Sequence, residues 1–267
     1  MTPANPFSTL NLNGDGTMRG VTLALPVDRV RDFLPAGLEL GDQNVTPKGT
    51  HPVILFFHDM FRAQMSVPTL LPSMTYHEHS VGVPYSYLSA GSITPGNPGP
   101  YYFMPKLYLD NFFATLGGIL FWGFAKEMAT VSVTAERYTV TSMTGQRLTS
   151  LAWKKNGSGD AHRPIAEYPN FEPVRKMLSQ PIISMVPASL GPFFILSDFD
   201  KNWDVAAVQP IQTGLEVDVE YVPGYGGGRY PVSGWSPGID ESVLGSYELR
   251  APWRLSIPYP PVFSFRR

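Results

Sequence analysis

Lys126 stands in apolar company. Phe121, Trp122, Gly123, Phe124 and Ala125 precede it, and Met128 and Ala129 follow one residue later. Lysines usually sit among polar neighbours and stay wet. Burying an ammonium disfavours its charged form and lowers its pKa. A lysine tuned to roughly 7–8 is in part a free amine at neutral pH, and so a nucleophile toward a ketone. From these residues alone the plainer account is the stronger one: the lysine ends an apolar helix, its stem packed and its head in water.

A second constellation is the run from Tyr76 to Ser80. His77 and His79 form an H-x-H pair on an expected strand, so they share a face and could reach one metal, with His58 as a third ligand. The pair is frequent by chance and no carboxylate follows at a matching spacing, so the expectation is two solvent-facing histidines and no metal. The opposite face carries Tyr76, Glu78 and Ser80. If the histidines face water, Glu78 faces in. A buried carboxylate is costly unless paired or protonated, which makes an inward glutamate a functional candidate. With the faces reversed Glu78 is a surface residue, and the strand alone does not decide. Arg19, at the start of an expected strand, reads by itself as a surface arginine. No H-E-x-x-H metalloprotease pattern is present.

The elements that must position these residues are short and extended. The chain has 267 residues, 27 prolines and 25 glycines. Proline is excluded from helix interiors and central ladders, so this spread predicts many strands and turns. Expected strands cover 19–25, 51–57, 61–67 (as a hairpin with the preceding one), 74–82, 83–90, 103–109, 129–141, 146–154, 181–186, 193–197, 205–208, 215–221 and 241–255. Helices are expected at 27–35, from about 112 to 122 with Asp110 or Asn111 as cap, and at 171–180. Residues 1–18 read as an arm, and 92–102, 154–164 and 223–238 as loops. The loop 154–164 is the best seam if two halves exist. The count predicts a mainly β (α+β) fold, a barrel or stacked sheets with a few short flanking helices.

Composition excludes several functions. There is no cysteine, so disulfides and thiolate chemistry are ruled out. The net charge of −2 gives no reason to expect nucleic acid or an acidic membrane as partner. The N-terminal residues lack a basic and apolar leader pattern, and no apolar run approaches 20 residues. A cytoplasmic location is the default expectation.

At Lys126 the residues also carry a resemblance. The run YLDN (108–111), then GG (117–118), then an aromatic turn into Lys126 resembles the acetoacetate decarboxylase family. There a tyrosine–leucine–aspartate–asparagine run leads through a short helix to a Schiff-base lysine, and Gly118, eight residues ahead of the lysine, also matches. LALPVDRVRDFLPAGLEL (23–40) is similar to the family's N-terminal strand, helix and turn. YHEHSVGVPYSY (76–87) is similar to its tyrosine-x-glutamate strand, and SVLGSYELRAPWRLSIP (242–258) to its closing strand. The resemblance spans about 19–260 and is patchy between about 155 and 235.

The resemblance implies one domain over 1–267: a cone-like antiparallel β-barrel with an interior site, usually in a homo-oligomer. It implies Lys126 as the Schiff-base lysine and Glu78 as a cavity glutamate. Arg19 falls within one residue of a cavity arginine, and a one-residue register change would flip its side chain. Tyr76, Phe121 and Trp122 join Arg19 as expected substrate contacts. There are departures. In the decarboxylase itself a second lysine follows the nucleophile and activates it; here Glu127 follows. If that segment is extended, the two neighbours point to opposite faces. A second cavity glutamate of the family aligns near Val53 and is lost. The expected function is a Schiff-base-forming carbon–carbon lyase on a small keto acid or ketone, by decarboxylation or by aldol or dehydratase chemistry, with no cofactor. The alternative is a non-catalytic barrel that binds a small apolar ligand.

Overall fold

A computed structural model describes residues 11–66, 73–89, 99–155, 162–185, 193–218, 245–260 and, by backbone alone, 228–232. In chain order the elements are β1 (Asn11–Pro26), α1 (Val27–Arg31), β2 (Leu38–Leu40), β3 (Thr50–Met65), β4 (Met74–Leu88), β5 (Tyr101–Leu109), α2 (Phe112–Trp122), β6 (Lys126–Val133), β7 (Arg137–Ser142) and β8 (Arg147–Lys155). There follow β9 (Arg163–Pro164), α3 (Glu172–Leu178), β10 (Ile182–Met185), β11 (Phe194–Ser197), β12 (Phe199–Lys201), β13 (Ala207–Val217), β14 (Gly228–Val232) and β15 (Ser246–Ser256). The fold is mainly β, as the proline and glycine spread predicts.

All fifteen strands belong to one sheet. Its path runs β5-β6-β7-β8-β13-β15-β1-β3-β4, and β4 also pairs with β5, so the ladder closes into a ring. Most pairs are antiparallel; β5 pairs in parallel with β6 and β10. The polar loop near 155–164 divides nothing in the sheet, because β8 pairs with β13 across it.

The long strands are apolar on both faces because both faces are covered. In β3, Val53, Leu55 and Phe57 enter one core cluster with Val21, Tyr138, Leu151, Trp153 and Leu215, all from strands of the ring. Ile54, Phe56 and Met60 enter a second cluster on the opposite face, with Leu107, Trp122, Phe171, Met177 and Trp253. That second face is covered by α2 and α3, and a cavity opens there, between sheet and helix.

Several boundaries differ from the sequence reading. The expected arm is strand from Asn11 onward, so Arg19 lies in mid-strand. Segments 51–57 and 61–67 are not a hairpin: they form the single strand β3, with an irregularity between Met60 and Ala63 where Arg62 takes φ 53°. Segments 74–82 and 83–90 are likewise one strand, β4, in which Tyr85 at φ 54° absorbs the bend near Pro84. Much of the 92–102 loop and most of 223–238 lie outside the described residues.

Candidate active site

The site is set by how α2 ends. The Asn111 side chain caps the helix by accepting from Ala114 N at 3.0 Å. At the other end Gly123 takes the left-handed conformation, φ 62°, as the C-cap, where a side chain would be strained. The Phe124 N–H then turns back to donate to Gly118 O at 3.1 Å, and the chain leaves as β6 with Lys126 its first residue. Lys126 therefore begins a strand; it does not end a helix. Its side chain folds under α2 against Gly118 and is 7 % exposed.

The Lys126 amine donates to Glu78 Oε2 at 3.0 Å and lies 3.4 Å from Ala114 O. It sits 5.7 Å from the centre of the Phe124 ring. Glu78 is buried on β4 and faces the cavity with Tyr76, two residues away on the same face. Together they border a cavity of about 740 Å³. The Glu127 side chain points away from Lys126 and forms an ion pair with Lys106 at the surface. This is the strand alternation expected for consecutive residues, and it keeps the Glu127 charge off the amine.

The expected substrate contacts divide. Tyr76 and Trp122 are buried in the cavity wall, and Trp122 is fixed by donating its indole N–H to Ser256 O at 2.8 Å. Phe121 also borders the cavity, with its ring 65 % exposed. Arg19 does not reach it. On β1 Leu12 borders the cavity, Met18 packs in the core cluster on that side of the sheet, and Arg19 points through the opposite face. There its guanidinium stacks on Trp153 at 4.2 Å, donates to Asp59 Oδ2 at 2.8 Å and lies 3.0 Å from Glu248 Oε2. Val53 also lies in the opposite cluster, so it marks no cavity position.

The histidines correct a further expectation. His77 and His79 do share a face, but it is the ring's packed face, not open water. His79 is fully buried, stacked on Phe57 with ring centres 4.5 Å apart, and bonded to Phe56 O at 2.7 Å. His77 is half-buried and bonded to Asp59 Oδ1 at 3.0 Å. Among the described residues no three His, Asp or Glu side chains are grouped to hold a metal.

Two polar residues of the site were not singled out as catalytic in the sequence. His58 pairs with Glu78 across β3 and β4 and borders the cavity. Its Nδ1 is 3.9 Å from Glu78 Oε1, and neither ring nitrogen has a hydrogen-bond partner among the described residues. Burial first, then the neighbouring positive charge of Lys201, holds its pKa down to about 3, so the ring is neutral. Lys201 lies behind it, buried, donating to Leu178 O and Phe199 O at 3.2 Å each. Burial brings its amine down to about 7. The sequence signal for His58 was its position on a face with Glu78, legible only once β3 and β4 are in register. The letters of a serine-nucleophile elbow, G-x-S-x-G, also occur at 234–238, outside the described residues.

Comparison with known proteins places these features. No curated protein matches the chain. Among solved structures, acetoacetate decarboxylase from Legionella pneumophila is similar at 15% identity and TM-score 0.59, over 95% of this chain and 87% of that one. The enduracididine biosynthesis enzyme MppR, complexed with pyruvate, is similar at 12% identity and TM-score 0.55, over 92% and 88%. An acetoacetate decarboxylase-like enzyme from Sphingomonas wittichii RW1 is similar at 15% identity and TM-score 0.50, over 92% and 91%. At such identities these likenesses show the fold. The family model for acetoacetate decarboxylase (ADC) matches residues 1–172, which include β1 through β8 and therefore Glu78 and Lys126, and the chain belongs to that family.

Proposed function

We propose that this protein is a Schiff-base-forming lyase that acts on a keto acid or ketone. The observation that carries the reading is the Lys126–Glu78 pair at 3.0 Å, buried at the wall of a large cavity. A lysine nucleophile must shed a proton before it attacks, and Glu78 is in hydrogen-bond reach to take it. The amine adds to the substrate carbonyl, a carbon–nitrogen bond forms as the carbonyl π bond breaks, and Glu78 returns its proton to the hydroxyl, which leaves as water to give an iminium and a free Glu78 carboxylate. The iminium then accepts an electron pair. Either the bond to a carboxylate breaks and carbon dioxide departs, or an α-proton passes to Glu78. Both routes give an enamine. Protonation at carbon and hydrolysis return the free amine. The neutral His58 ring, beside Glu78 and with no hydrogen-bond partner among the described residues, is placed to hydrogen-bond the substrate or the departing water.

Family membership supports lyase chemistry of this general kind. A structural neighbour held with pyruvate, and another form of it with a condensation product of pyruvate, favour the aldol branch as well as decarboxylation. In the same reading the closed ring of strands is the family's cone-like barrel, the whole chain is one domain, and no organic cofactor takes part. The exposed Phe112, Leu116 and Leu120 on α2 favour burial against another subunit.

The test is proton exchange. Incubated in deuterium oxide with pyruvate or a methyl ketone, the enzyme should label the α-carbon, and Lys126→Ala should not. Absence of labelling with every ketone tried would favour the second reading, a non-catalytic protein that holds an apolar ligand. The mainly apolar cavity wall is what supports that alternative.

A further inference from the structure

The cavity is larger than a small keto acid needs. Its volume of about 740 Å³ lies high in the roughly 300–1,000 Å³ range of sites that enclose drug-sized ligands. Its polarity is also one-sided. His58, Tyr76, Glu78 and Lys126 cluster at one end, since His58 pairs with Glu78, Met60 with Tyr76, and Lys126 reaches Glu78. Among the described residues the rest of the wall carries no charged side chain. From the polar end, β4 runs outward through Tyr76 to Met74, and β3 through Met60 to Met65. Leu12 pairs with Met65 on one side and Leu255 on the other, which completes an apolar collar. Phe113 and Phe121, both more than half exposed, stand at the rim with the exposed Gln64.

Glu78 to Met74 is four residues of strand, roughly 13 Å at ~3.3 Å per residue. Carbon–carbon bonds of ~1.5 Å at tetrahedral angles advance an extended chain by ~1.25 Å each, so that length holds about ten carbons. Methionine is flexible and polarizable, so the three on this path suit a ligand of variable shape.

We propose that the substrate of this site carries an apolar tail: a ketone or keto acid whose carbonyl meets Lys126 and whose alkyl or aryl chain, about six to ten carbons long, lies along Met60, Met65 and Met74 toward the rim. The position of the carbonyl rests on the Schiff-base reading; the tail rests on the cavity alone.

The test is a homologous series of methyl ketones and 3-oxo acids, from four to twelve carbons, titrated into the full-length protein by calorimetry and in parallel trapped with borohydride. Each methylene buried along the collar should tighten binding about fourfold until the tail passes the rim. Met65→Trp and Gly117→Leu fill the collar and should flatten that dependence, with circular dichroism checking the fold. Gly117 has room for the first added atom, since a Cβ there meets only Phe121 Cδ2 at 3.9 Å. A flat or falling length dependence in the wild-type protein would overturn the tail, whatever the trapping shows. Length-dependent binding with no trapped imine would keep the tail and overturn the Schiff-base reading. Trapped imine with no length dependence would do the reverse.

Discussion

A methyl group on Gly118 would fall 2.5 Å from both Cδ and Cε of Lys126 and 3.0 Å from its Nζ. The helix and the Lys126 side chain thus share one volume, and only glycine leaves it free. Gly118→Ala should displace the amine from Glu78 and lower kcat at least tenfold, since a 1 Å misplacement of a reacting group can cost about a hundredfold. The stability loss should be modest, because the neighbouring atoms belong to a flexible side chain. Steady-state kinetics and thermal melting measure the two. Unchanged kcat would remove the argument that α2 positions the amine.

Glu78→Gln keeps the shape and the hydrogen bond of the wall but cannot accept the Lys126 proton. It should lower kcat by about 10²–10⁴, the usual span for loss of a general acid–base group. Turnover within threefold of wild type would assign Glu78 a structural role.

Arg19 is expected to matter for folding and not for substrate. Arg19→Met takes a guanidinium from buried Asp59 and Glu248, leaving Asp59 to His77 and Glu248 to His162 and Arg250, and breaking a buried pair costs about 3–5 kcal/mol. Urea unfolding should show that loss, while KM for a keto acid should stay within threefold. A raised KM at unchanged stability would return Arg19 to substrate binding.

His58 should show the opposite trade. It is buried with neither ring nitrogen paired, and an unsatisfied buried polar group costs about 1–3 kcal/mol. His58→Leu should therefore match or exceed the wild type in stability and lose turnover. Lower stability with full activity would contradict its placement as a substrate-facing group.

Stability should fall on acidification below neutrality. Burial lowers the pKa of His58 to about 3, of His79 to about 4, and of His51 below its ordinary value. Between pH ~6.5 and ~4 the unfolded chain binds protons that the folded His58 and His79 rings refuse, at up to about 1.4 kcal/mol per pH unit for each, and His51 acts in the same direction. His77 opposes them: its hydrogen bond to Asp59 raises its pKa, so its contribution is full below the unfolded value and is lost as pH rises through the folded one. Below pH ~6.5 His77 holds its proton in both states and adds no slope, so His58 and His79 alone leave roughly 2–3 kcal/mol per unit near pH 5. Urea unfolding across this range checks it, and a protein that gains stability on acidification would contradict it.

The sequence carried the site's two central residues through local patterns: YLDN and GG into Lys126, and alternation that put Tyr76 and Glu78 on one face. The mainly β fold followed from proline and glycine spacing. What stayed hidden depended on long-range register. Arg19 could be aimed only once β1 was known to place Met18 on the cavity side. His79 could not be read as buried without knowing that both faces of β4 are covered. His58 became a site residue only through its pairing with Glu78 twenty positions on. The sequence reading breaks β3 at 58–60, where His58 and Asp59 interrupt the apolar run, and β4 at 82/83 ahead of Pro84, while the backbone irregularities lie inside the expected segments, at Arg62 and Tyr85.

The most direct measurement is borohydride reduction of the protein with a ketone or keto acid, followed by intact mass and peptide mapping. The account predicts an adduct confined to the peptide bearing Lys126 and absent in Lys126→Ala. An adduct on another lysine, Lys201 above all, or none on folded protein across neutral pH, would contradict it.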